Sequence, residues 1–128
     1  MNHLMIDLET MGNKPNAPIV SIGAVFFEPS TGELGADFYR VVSLKSSVDG
    51  GAVPDPETIM WWMQQSEEAR AAICDKDAIT ISAALIKLNT FIRDEGDMHN
   101  ALADAKHQAK YVSAIWQRLI PNQKAREV

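Results

Sequence analysis

The nine residues Ile19-Val20-Ser21-Ile22-Gly23-Ala24-Val25-Phe26-Phe27 carry no charge and lie between Pro18 and the turn-forming stretch Pro29-Ser30-Thr31-Gly32-Glu33. A run this short, rich in β-branched and aromatic residues and closed at both ends by breakers, reads as a strand buried inside a sheet. Such a strand needs a neighbour on each side. His3 to Leu8 supplies one, a short apolar run joined to it by the link Gly12 to Pro18, and both read as central strands. Asp37-Phe38-Tyr39-Arg40-Val41-Val42 supplies the other, and the three make an antiparallel meander.

Helical signals follow a loop marked by Asp49-Gly50-Gly51. In Pro54-Asp55-Pro56-Glu57, Asp55 is placed to cap, Pro56 to take the first helical position and Glu57 to favour the dipole, so a helix is expected over 54–65. Ser66 caps a second short helix from Glu67 to about Cys74. A third repeats Ile81, Ala84, Leu85, Leu88, Phe91 and Ile92 at helical spacing. Asn100 is expected to cap the last, with Ala105, Ala109, Val112, Ile115, Trp116 and Leu119 on its apolar face and Pro121 as its stop. The whole is an α/β chain, a three-stranded meander packed with about four helices, and residues 1–128 are expected to form one domain.

Composition narrows the function classes. The amino terminus lacks a basic-plus-apolar signal and no uncharged apolar stretch approaches the ~20 residues that span a bilayer, so a soluble cytoplasmic protein without membrane association is expected. Cys74 is the only cysteine, which excludes an intramolecular disulfide and a cysteine-rich zinc site; its neighbours Ala72 and Ile73 point to core packing. A net charge of −5 argues against holding nucleic acid on a broad basic surface. It leaves open a carboxylate cluster that loads divalent cations and so reverses the local field.

Asp7 and Glu9 are the candidates for that cluster. Two apart on a strand, they project to one side and offer the hard oxygen ligands that Mg²⁺ and Mn²⁺ prefer. Far downstream, His99 and Asp104 stand at the opening of the last expected helix, within reach of one lip and near its positive end. An alternative set of His99, Asp104 and His107 ignores the first strand and is set aside. One of Trp61 and Trp62 can stack on a terminal base, whereas an adjacent pair can also divide between core and surface. Lys106 and Lys110, four apart, read as a solvated face more readily than as a phosphate contact.

The segments Asp7-Leu8-Glu9-Thr10-Met11-Gly12, Pro18 to Val25 and His99 to Asp104 resemble the DnaQ-like 3′-5′ exonucleases of the DEDDh type, and the 54–65 helix with Trp61-Trp62 looks like their phage and prophage exoribonuclease-like branch, sometimes labelled exodeoxyribonuclease VIII-like. The resemblance implies a ribonuclease-H-like fold and a two-metal site for Mg²⁺ or Mn²⁺. It makes Asp7, Glu9 and Asp104 metal ligands, His99 the general base, and Thr10, Met11 and Trp62 substrate contacts. The implied activity is hydrolysis of single-stranded RNA or DNA from the 3′ end to nucleoside 5′-monophosphates.

One departure is plain. Between the third helix and the His motif the family places a strand, a helix bearing a further Asp, and another strand, whereas this chain has Arg93-Asp94-Glu95-Gly96-Asp97-Met98. Three readings follow: a shortened exonuclease that binds metal poorly; Asp94, Glu95 or Asp97 standing in for the missing ligand; or a partner subunit, as in a homodimer, completing the site or covering the sheet edge. The rival from another class is an inactive nucleic-acid-binding or interaction module.

Overall fold

The expected meander forms. In the computed structural model, which describes residues 1–96, β1 (His3–Thr10), β2 (Ile19–Glu28) and β3 (Glu33–Val41) make an antiparallel sheet in the order β1-β2-β3. The apolar run Ile19 to Phe27 is indeed the middle strand. His3 to Leu8 was expected to be central as well, but among the described residues β1 is an edge, because no described segment pairs beyond it. β1 also runs past its apolar stretch through Glu9 and Thr10, which pair with Ser21 and Ile19.

Two irregularities shape the sheet. Opposite the Glu9–Thr10 step, β2 carries one residue more than β1, and Val20 is left without a partner on that strand. Such a bulge breaks the strict alternation of faces. Ile19 and Ile22 pack in one core, while Val20 packs in another and Ser21 faces the cavity beside it. The second irregularity lies between Val25 and Phe27, where Gly35 and Ala36 of β3 share the place opposite Phe26. It hides the start of β3 from a period-two reading, so the strand begins at Glu33 rather than at Asp37.

Helices cover the sheet unequally. α1 (Leu44–Asp49) was expected to be loop; it follows an N-cap at Ser43, and its serines bind elsewhere in the fold, Ser47 Oγ donating to the Ile19 carbonyl at 3.1 Å and Ser46 Oγ accepting from the Ile81 N–H at 3.1 Å. α2 (Pro56–Met63) starts as the sequence indicates, with Asp55 Oδ2 accepting from the Thr58 N–H at 3.0 Å. α3 (Glu67–Ile73) is capped by Ser66, and α4 (Ile81–Glu95) by Thr80. Cys74, expected in the core, is instead exposed at the end of α3, where the chain has left the helix, while Ile73 before it packs against Met11, Val20 and Trp62.

The main core joins Ala84, Leu88 and Ile92 of α4 to Ile22, Ala24, Phe38 and Val42. Phe91 lies 5.4 Å from the rings of both Phe26 and Phe38 and seals one end. Leu4, Ile6 and Leu8 complete the face that α4 covers. Strand alternation therefore sends Met5, Asp7 and Glu9 to the other face, where all three are exposed. No described helix is long and apolar enough to cross a membrane. Asp97, His99, Asp104, His107, Lys106, Lys110 and the helix expected after Asn100 lie outside the described residues.

Leu88→Ala should cost about 2–5 kcal/mol in urea unfolding, because Leu88 is 3% exposed at the centre of this core. Leu85→Ala on the same helix, at a position 44% exposed, should cost much less; equal losses would contradict the described face of α4.

Candidate active site

Asp7 and Glu9 share the uncovered face of β1, as their spacing requires. Neither carboxylate has a hydrogen-bond or ion-pair partner among the described residues. Unpartnered hard oxygen donors on one face fit a divalent cation. Two ligands alone do not make a closed shell, and among the described residues no group of three or more His, Cys, Asp or Glu side chains gathers around a point. Asp94 and Glu95 do not join them, since α4 packs against the opposite face of the sheet.

Behind the carboxylates the chain is tied down by backbone bonds. The Met11 N–H donates to the Pro18 carbonyl at 2.8 Å, and the Met11 carbonyl accepts from the Asp55 N–H at 2.9 Å. Thr10 Oγ1 donates to the Gly12 carbonyl at 2.7 Å. Gly12 has no room for a side chain, since a Cβ there would stand 2.8 Å from that of Ala17. Met11, expected at the substrate, is 7% exposed and packs with Val20, Trp62 and Ile73, and it borders neither of the hollows beside Glu9.

The two tryptophans divide between core and surface. Trp62 is 8% exposed and its Nε1–H donates to the Thr10 carbonyl at 3.0 Å, a bond that pins the end of β1 to α2. Trp61 is 53% exposed and meets Trp62 edge to face at 5.1 Å. The free aromatic surface is therefore that of Trp61, although Trp62 borders the space on both sides of Glu9.

Two hollows flank the carboxylates. The larger, about 430 Å³, is lined by Glu9, Thr10, Asn13, Glu57, Trp61 and Trp62 among others. The smaller, about 260 Å³, lies between the sheet and α3, with Asp7, Glu9, Ser21, Gly23 and Tyr39 on the sheet side and Trp62, Ala69, Ala72 and Ile73 opposite. Sequence reasoning missed Ser21, Gly23 and Tyr39. The signal that was available is the pair of small residues two apart within an otherwise bulky strand.

Replacing Trp62 by Phe keeps most of the ring but leaves the Thr10 carbonyl without its donor, which should cost about 1–3 kcal/mol and speed amide exchange in residues 10–12. Trp61→Phe should change stability by less than about 0.5 kcal/mol. Equal effects would refute the anchoring role of Trp62.

Known proteins match this chain over most of its length. Residues 2–98 match the model of the Rv2179c-like 3′-5′ exoribonuclease domain, a span that includes the described sheet, both carboxylates and both hollows. The exodeoxyribonuclease of Enterobacteria phage T4 is 34% identical over 101 residues, which cover 72% of this chain and 44% of the phage protein. The chain thus spans less than half the length of that curated relative. No solved structure matches it significantly. With its match running through β1 to the end of α4, the chain belongs to the Rv2179c-like 3′-5′ exoribonuclease domain family.

Proposed function

We propose that the chain is a metal-dependent 3′-5′ exonuclease that shortens single-stranded nucleic acid to nucleoside 5′-monophosphates. The observation that carries this reading is the Asp7–Glu9 pair, without partners among the described residues, on an open sheet face and beside two hollows, in a chain of this family. Two bare carboxylates repel a phosphodiester, so substrate binding at this face calls for bound cations. Asp7 and Glu9 would hold Mg²⁺ or Mn²⁺, with Asp104 as a further ligand by resemblance; the metal supplies Lewis acidity toward the phosphate and a lowered pKa for attacking water.

The roles of the protein groups follow. The larger hollow beside Thr10 receives the terminal nucleotide, and the exposed ring of Trp61 offers a stacking surface worth about 1–3 kcal/mol. The scissile phosphate lies at Glu9, which borders both hollows. Water adds to phosphorus and the bond to the 3′-oxygen of the preceding nucleotide breaks. That oxygen leaves as a hydroxyl, and the terminal residue departs as its 5′-monophosphate. His99, whose neutral form can take the proton of the water, is the base by resemblance. Trp62 acts at one remove by holding Thr10.

The test uses 5′-labelled single-stranded RNA and DNA with Mn²⁺, Mg²⁺ or EDTA. The wild-type chain should give a ladder shortening from the 3′ end in metal only, and Asp7→Ala should give none. No ladder from folded protein would contradict the proposal. Strand binding that survives EDTA without product would instead support a non-catalytic binding module.

A further inference from the structure

Glycine weakens the interior of a strand, so a glycine kept there often marks a place where something approaches closely. Gly23 sits in the middle strand between Ile22 and Ala24, which are buried on the opposite face. Its backbone does not require glycine: it is not among the positive-φ residues, and a Cβ would meet no atom closer than 3.9 Å, with the Asp7 carbonyl and Tyr39 Cδ2 at that distance. The missing side chain keeps the floor of the smaller hollow open. In the register Asp7 pairs with Gly23 and Gly23 with Tyr39, so the carboxylate and the phenol flank the gap from strands about 10 Å apart.

Ser21 provides an independent sign of a ligand. It lines the same hollow, is 1% exposed, and its hydroxyl has no partner among the described residues. A buried hydroxyl left unpaired is uncommon and calls for an explanation.

We infer that the smaller hollow receives the ribose of the second nucleotide from the 3′ end, whose 2′-hydroxyl is bound by the hydroxyls of Ser21 and Tyr39, which makes these two residues the ones that select ribose over deoxyribose. This rests on the proposed role of Asp7 and Glu9. Glu9 and Trp62 border both hollows, Thr10 only the larger and Asp7 only the smaller, so a phosphate held at the carboxylates has one nucleotide on either side. With the terminal nucleotide beside Thr10, the one before it lies over Gly23. A ribose hydroxyl both donates and accepts, as do those of Ser21 and Tyr39, and it is the group that distinguishes RNA from DNA. Ala69, Ala72 and Ile73 give the apolar wall against which the sugar packs.

The experiment measures kcat and KM of the full chain in Mn²⁺ on oligonucleotides of one sequence. They are all-ribose, all-deoxyribose, or all-ribose with a single 2′-deoxy sugar at the last or the second-last position. The second-last substitution should lower kcat/KM by about tenfold or more, as expected where a site binds a substrate hydroxyl, and the last should have little effect. Ser21→Ala should bring the ratio between these substrates close to one, and Tyr39→Phe should reduce it. Gly23→Ala should keep the thermal midpoint and raise KM on the ribose substrate. Discrimination that is absent, is confined to the last sugar, or is unchanged in Ser21→Ala would overturn the inference alone, as would a Gly23→Ala chain that melts at lower temperature. No Asp7-dependent shortening of any substrate would overturn the exonuclease reading and this inference with it.

Discussion

The extra residue at Val20 is the constraint on which the rest of the structure depends. A strictly alternating β2 would send Val20 to the α4 side with Ile22 and Ala24, and the loop after β1 would have no apolar floor. With the bulge, Val20 joins Met11, Trp62 and Ile73 in a second cluster. That cluster seats α2 against the end of β1, where Trp62 bonds the Thr10 carbonyl. One irregular pair thus lets a single strand serve two cores, and the candidate site lies where they meet.

The open face follows from the same arrangement. Leu4, Ile6 and Leu8 of β1 go to α4, and Met5, Asp7 and Glu9 are left on the side where α3 approaches only part of the sheet. Asp7 and Glu9 are held by a paired, doubly anchored strand rather than by a loop, which gives the fixed geometry that metal ligands need. Their lack of partners among the described residues and the net charge of −5 bear on the proposal in the same way: an anionic strand would be attracted here through cations.

Much of this was legible in the residues. The uncharged run Ile19 to Phe27 identified the middle strand because nine such residues between breakers have few other uses, and Asp55, Pro56 and Ser66 marked helix starts through side-chain chemistry that acts locally. The shared face of Asp7 and Glu9 followed from spacing alone. What escaped depends on tertiary contacts. α1 has six residues and no apolar period; its serines bond to Ile19 and Ile81, far away in sequence. Which of Trp61 and Trp62 turns inward and the exposure of Cys74 likewise depend on neighbours that no local pattern names. A bulge has no fixed composition, so the grouping of Val20 with Met11 was not readable.

The claim that Asp7 and Glu9 form a cation site is tested most directly by titrating ¹⁵N-labelled protein with Mn²⁺ and following paramagnetic broadening of its amide signals. The account predicts that Asp7, Glu9, Ser21 and Gly23 broaden first, and that Asp7→Asn with Glu9→Gln removes the effect while the rest of the spectrum is preserved. Broadening centred elsewhere, as on the acidic start of α3 at Glu67 and Glu68, or unchanged in the double variant, would contradict it.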